Sequence, residues 1–249
     1  MNKIILGTNA PGLGDQLQFS TLPEEFSKLG YEFYLSNKIP FRNLEIKQLV
    51  WGCNPFIKGE SDLEPNAGEE IYCNRFTKIN RIKNNYIDVI EGRHGIISEN
   101  KYPKIYYKFN EDKFQRFKNS IIFDLDSMTN FYYFRVDFNK KINEVIETFK
   151  EKEIILIQHK YSFNKLPFKF NRNFDIIYNV KDIFDYCDII NVCEEFVCLA
   201  SGSNVLASAI KNNKSNPKIN TLFPLDELNK IKESKGYYFE NCNFIPIVY

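Results

Sequence analysis

The chain has 249 residues, 43% of them hydrophobic and 26% charged, with a formal net charge of +1. That is enough apolar material for one large domain or two small ones, and the near-neutral balance provides no global field for nucleic acid or an acidic surface. Six cysteines (Cys53, Cys73, Cys187, Cys193, Cys198, Cys242) form no Cys-x-x-Cys pair, which reads as free thiols in a reduced, cytoplasmic setting. The opening "MNKIILGTNA" is too short an apolar run for a signal peptide, and no stretch approaches the roughly 18 apolar residues of a membrane span. Any membrane association is therefore expected to be peripheral.

Lys3–Gly7 reads as a short buried strand, because an apolar run halts at Gly7. Gln16–Leu29 reads as a helix with Leu17, Leu22, Phe26 and Leu29 on one face and Gly30 as its stop. "YEFYLSN" (Tyr31–Asn37) follows as a second strand, completing a β-α-β unit whose crossover makes the strands parallel. "LEIKQLVWGCNPFIKGE" suggests a further strand and a loop, Arg81–Gly95 a helix, and Tyr102–Lys108 an extended segment. A second block begins near Lys118. "NSIIFDLDS" reads as a strand with a polar end, "FNKKINEVIETFKEKE" as a helix with Ile142, Val145, Ile146 and Phe149 on one side, and "EIILIQHK" as a buried strand. The alternation continues to "PKINTLF" and argues for parallel sheets covered by helices, in two α/β halves with a cleft between them. The charged segment Asn110–Asn119 marks the boundary, giving domains 1–115 and 116–249.

Ligands of parallel sheets bind beyond the carboxyl ends of the strands, where two glycine loops fall. In "GTNAPGLGD", Gly12 and Gly14 permit a tight turn, and Asp15 either caps the following helix or projects as a general base. The spacing is not a dinucleotide fingerprint. In "FVCLASGSNVLASAI", Ser201, Gly202, Ser203 and Asn204 open a helix; they form an ordinary cap or a phosphate cradle. His159, with Lys160, ends the "EIILIQ" strand and is a candidate for the cleft, whereas His94 in "EGRHGI" reads as structural, a cation at a helix end. Neither histidine belongs to a metal-binding pattern.

These segments resemble glycosyltransferase family 9, the lipopolysaccharide heptosyltransferases. "GLGDQLQFSTLPEEFSKLGYEFYLSN" is similar to the family's opening strand, "GD" turn, helix and second strand. "NPFI" (Asn54–Ile57) looks like its Asn-Pro loop, and "NNYIDVIEGRHGI…YPKIYY" like the end of its first domain. "VKDIFDYCDIINVCEEFVCLASGSNVLASAIK" resembles the terminal signature with its "DSGxxHLAAAL" loop.

The resemblance implies a GT-B-like architecture: two Rossmann-like domains, an N-terminal acceptor side and a C-terminal nucleotide-sugar side, with parallel sheets facing a central cleft. It implies inverting, metal-independent transfer of a sugar, heptose among the candidates, from a nucleotide-diphosphate donor to a glycan or lipid-linked bacterial acceptor, without a cofactor. Asp15 maps onto the family's base. Gly14, Gln16, His159, Lys160, Ser201, Gly202, Ser203 and Asn204 become the expected donor-binding residues, while Ala200 replaces the family's acid and Val205 its histidine. Those two replacements favour the alternative, a catalytically silent GT-B-like protein that binds a nucleotide or glycan.

Overall fold

The computed structural model describes residues 2–68, 86–126, 138–160, 169–225 and 239–247. Cys73 and the first five residues of the expected Arg81–Gly95 helix lie outside them. The chain divides into two units, Met1–Lys108 with Lys232–Phe239 and Phe109–Ile231 with Glu240–Tyr249. No helix among the described residues is long and apolar enough to cross a membrane.

The first unit contains a wholly parallel sheet of β1 (Lys3–Gly7), β2 (Glu32–Ser36), β3 (Ile57–Ser61) and β4 (Ala67–Gly68), in the order β3-β2-β1-β4. Ile5, Leu6, Phe33 and Leu35 are buried on it. β1 meets β4 so closely that a Cβ on Gly68 would lie 2.0 Å from the carbonyl oxygen of Gly7, and Gly68 has φ +116°. Only glycine suits that position.

The expected helix over Gln16–Leu29 is two helices, α1 (Leu13–Gln18) and α2 (Leu22–Lys28). Ser20 Oγ donates back to the Leu17 carbonyl at 2.6 Å, and Pro23 starts the second helix, where its missing N–H costs nothing. The break turns Leu29 to solvent while Leu17, Leu22 and Phe26 stay buried.

The strand expected around Leu44–Trp51 is also helical. Asn43 Oδ1 accepts the Ile46 N–H at 2.9 Å, opening α3 (Leu44–Lys47), which runs on as a π-type turn over Gln48–Gly52. Ile46, Leu49 and Val50 lie three and four apart and are all buried, the spacing of a helix face.

α4 (Tyr86–Arg93) leads to His94. Its Nδ1–H donates to the Ile90 carbonyl at 2.7 Å, and Nε2 accepts the Gly68 N–H at 3.1 Å. These partners fix the neutral ring, and burial holds its pKa below the usual histidine value. The expected cation at a helix end is thus a neutral pin between α4 and β4.

The second unit holds β5 (Ile121–Asp124), β6 (Ile154–His159), β7 (Ile176–Val180), β8 (Glu195–Leu199), β9 (Lys218–Pro224) and β10 (Cys242–Ile247), all parallel, in the order β10-β9-β8-β5-β6-β7. Ile121, Phe123, Ile154, Val197, Leu199 and Leu222 form its core with Ile142, Val145 and Ile146 of α5 (Phe138–Glu147). α6 (Ile183–Val192) is capped by Asp182, and α7 (Gly202–Lys211) follows β8.

The division at Lys108/Phe109 precedes the expected one at 115/116 because the short 3₁₀ helix Glu111–Phe117 is tied to α6. The Asn110 N–H donates to Asp188 Oδ1 at 2.9 Å, and the Lys113 ammonium pairs with buried Asp185. Counted from the first strand of each unit, the sheets share the order 3-2-1-4, extended to 3-2-1-4-5-6 in the second. That is the doubly wound order, in which the connections reverse direction between strands 1 and 4.

Candidate functional site

In the second unit this reversal lies between β5 and β8, and Asp124 ends β5 there. Its side chain is fully buried. Oδ1 accepts the Asp126 N–H at 3.1 Å. Oδ2 accepts Ser203 Oγ–H at 2.8 Å, the Tyr186 hydroxyl, and His159 Nε2–H at 3.3 Å. The contributing elements are the ends of β5 and β6 and the first turns of α6 and α7. The Tyr186 ring stands edge-on to the imidazole, 4.7 Å between centroids.

Charge follows from this geometry. Burial pushes the Asp124 carboxyl up, but the His159 charge and the hydrogen bonds from His159, Tyr186 and Ser203 reverse that and hold it below the usual carboxylate value. Burial pushes the His159 imidazole down, while Asp124, with a smaller contribution from Asp126, raises it above the usual histidine value. Asp124 therefore stays a carboxylate and biases the imidazole it bonds toward its protonated form. The Tyr186 hydroxyl is held protonated by burial and by the carboxylate it bonds.

The glycine loop beside this pair is a built cap. Ser201 Oγ accepts the Ser203 N–H at 3.2 Å, and Asn204 Oδ1 accepts the Ser201 N–H at 2.9 Å. The side chains of Ser201 and Asn204, expected to hold a donor, are engaged in the cap, and Ser203 is engaged with Asp124. The Asn204 Nδ2 atom is buried with no hydrogen-bond partner among the described residues. Half-buried Gly202 and the backbone at the start of α7 remain as the loop's ligand-facing candidates. Lys160 is exposed beyond His159.

In the first unit Asp15 is half-buried in the first turn of α1. A Cβ added to Gly12 would come within 2.8 Å of Asp15 Oδ2 and 3.8 Å of Arg42 Nη2, so the carboxylate and the guanidinium converge over that glycine. Gly14 is half-buried in the same short helix. Gln16 departs from the expectation. It is fully buried, its Nε2 donates to the Ala10 carbonyl at 2.7 Å and its Oε1 accepts Trp51 Nε1–H at 2.7 Å, so it is a structural residue out of reach of a ligand. Beyond the ends of β1, β2 and β4 lies a cavity of about 410 Å³ whose lining includes Thr8, Asn9, Ser36, Lys38, Glu64 and Asn66, with Asp15 outside it.

The sequence reading missed Asp124, Tyr186 and Arg42. For Asp124 a signal existed: an acid ending an apolar run of the buried parallel type, "IIFD". Nothing local marks Tyr186 or Arg42. Among the described residues no group of three or more His, Cys, Asp or Glu comes together as a metal site.

No family model matches the chain, and no curated protein matches it by sequence. Solved structures do match by fold. The iron-containing dodecameric glycosyltransferase TibC of enterotoxigenic E. coli H10407 superposes with TM-score 0.62 at 12% identity, over 89% of this chain and 57% of TibC. A family 9 glycosyl transferase of Veillonella parvula gives 0.62 at 11% identity, over 100% of this chain and 86% of its own. The E. coli heptosyltransferase WaaC, with ADP-2-deoxy-2-fluoro heptose, gives 0.57 at 9% identity, over 98% and 92%. The chain thus spans little more than half the length of TibC and most of the other two. It has the fold of the family 9 glycosyltransferases.

Proposed function

We propose that the protein is a glycosyltransferase that moves a sugar from a nucleotide-diphosphate donor to a hydroxyl of a bacterial glycan or lipid-linked acceptor, inverting the anomeric centre without a metal. The observation carrying this reading is His159 held on buried Asp124 at the strand-order reversal of the second unit, with Ser203 tying the glycine-opened start of α7 to the same carboxylate. A doubly wound sheet binds ligands there, and a cation beside a helix N-terminus suits a diphosphate. Similarity supports it, since TibC has been solved with ADP-D-β-D-heptose and WaaC with ADP-2-deoxy-2-fluoro heptose.

In this reading Asp15 takes the proton of the acceptor hydroxyl while that oxygen attacks C1 of the donor sugar. The bond between C1 and the diphosphate oxygen breaks, and the diphosphate leaves with both electrons, stabilised by residues of the second unit. Peripheral contact with a membrane would serve a lipid-linked acceptor. The test is a thermal-shift and calorimetric screen of ADP, GDP and UDP and their sugars, ADP-heptose included, with and without EDTA. A native-state ligand raises the melting temperature by mass action. Binding by one nucleotide class, unaffected by EDTA, is expected. No binding at millimolar concentration overturns the reading, and binding without transfer from any donor sugar leaves a binding protein in its place.

A further inference from the structure

His159 is held through one ring nitrogen and open at the other. Nε2 is bonded to Asp124 and the Tyr186 ring closes one side, while Nδ1 makes no hydrogen bond to any described residue and 29% of the side chain is exposed. The groups around it come from each packed element: Asp124 and Asp126 from the end of β5, Tyr186 from α6, Ser203 from α7 through Asp124, apolar Val180 opposite it on β7, and Lys160 next in its own chain. A fully buried carboxylate that accepts four hydrogen bonds is committed to its ionised form, and it biases the imidazole beside it toward the cation. The cation then carries a second N–H that the described protein leaves unpaired. A buried or half-buried charged donor without a partner is unfavourable, and an anionic oxygen relieves it.

We propose that Asp124 is the positioning residue of the donor site: its carboxylate fixes His159 with the Nδ1–H presented to the diphosphate, and through Ser203 it ties the start of α7 to the same anchor. This rests on the nucleotide-donor reading and deepens it. The dyad acts here as a charge clamp and not as a general base, because a base would need the neutral ring with its lone pair on Nδ1. The two roles predict opposite pH dependences. A clamp binds the diphosphate more tightly below the His159 titration, whereas binding to a neutral base is insensitive to it.

The chain contains two histidines, so two ring resonances report the whole titration, and His94→Gln identifies which is which. In the free protein His159 is expected to titrate above the ordinary histidine value, and in Asp124→Asn to return toward or below it. Affinity is then measured from pH 6 to 9 for whichever of ADP-glucose, GDP-glucose and UDP-glucose gives the largest thermal shift; these diesters do not themselves titrate in that range. Wild-type affinity should fall about tenfold as His159 deprotonates, the loss of one charge-assisted hydrogen bond. His159→Gln should bind about tenfold more weakly at pH 6 with a flat profile, and Asp124→Asn, melting as a folded protein, should move the fall in affinity to lower pH together with the His159 titration. If Asp124→Asn does not fold, His159→Gln with Ser203→Ala carries the test, the latter shifting the profile without abolishing it. A pH-independent wild-type affinity, or a His159 that titrates at the ordinary value, overturns the clamp and leaves the donor reading standing. Failure of every nucleotide and nucleotide sugar of the wider screen, ADP-heptose included, to bind overturns both.

Discussion

Gln16 Oε1 accepts the indole N–H of Trp51 at 2.7 Å, across 35 residues of chain, with the Gln16 side chain fully enclosed. This bond joins α1, which carries Asp15, to the π-type turn after α3. Gln16→Leu fills a similar volume but leaves the Trp51 N–H unpaired in the core, which should cost about 1–3 kcal/mol. Trp51 is the sole tryptophan, so its fluorescence during urea unfolding reports the loss directly. Nucleotide affinity should be unchanged, and a Gln16→Leu variant of wild-type stability but weakened nucleotide binding would restore Gln16 as a ligand.

Asp15→Asn keeps the size and hydrogen-bonding capacity of the residue in the first turn of α1. Stability should change by less than about 1 kcal/mol, while turnover should fall roughly 10²–10⁴-fold if Asp15 is the base. Donor affinity should persist if the proposed diphosphate contacts, His159 and the start of α7, are the ones that hold the donor. Turnover, donor affinity and melting temperature measured on one preparation decide it: full turnover removes Asp15 from the mechanism, and a collapsed melting temperature makes it structural.

The two histidines should tilt stability with pH in opposite directions. His94 is depressed in the folded state, so its contribution is whole above the unfolded value near 6.5 and declines as pH falls below it, when the unfolded chain takes up a proton that the folded ring refuses. His159 is raised, so its contribution is whole below about 6.5 and is lost as pH rises through its folded value. His94→Gln should flatten the acid limb of a stability–pH curve and His159→Gln the alkaline limb. The reverse pattern would contradict both bonding assignments.

Glu24 on α2 accepts the Lys104 ammonium at 2.6 Å and the Tyr106 hydroxyl at 2.7 Å, and pairs with Lys28 at 2.9 Å. Burial pushes its carboxyl up, but the bonds from Lys104, Lys28 and Tyr106 prevail and hold it at about 2. The network fastens the segment around Lys104–Tyr106, which forms no regular strand, to α2. Glu24→Gln should cost about 1–3 kcal/mol at pH 7. The gap to wild type should close as pH falls from about 4.5 toward 2, where the native carboxylate also protonates. Urea midpoints at pH 7 and pH 3 provide the comparison.

Much of the fold was legible along the chain because buried parallel strands are continuous apolar runs. β1, β5, β6 and β8 stand close to where such runs end in glycine or polar residues. The face of α5 was legible for the same reason, since Ile142, Val145 and Ile146 repeat at helical spacing and pack into the core. The resemblance in the two glycine loops pointed to the family 9 fold that the solved structures share. Local pattern failed where short-range bonds decide. The break at Phe19–Thr21 depends on a serine hydroxyl turning back on its own helix, and α3 on an asparagine cap that overrides the β-like run "LVW". The site itself needed the tertiary structure. Asp124 meets residues 35, 62 and 79 positions further on, His159, Tyr186 and Ser203, only because β5 is placed between β6 and β8 in the doubly wound order. Strand order is set by how the helices pack on the sheet, which no local run of residues encodes. That order, with the burial of Asp124 it produces, decided that His159 is biased toward its protonated form while the bonds and burial of His94 favour the neutral ring.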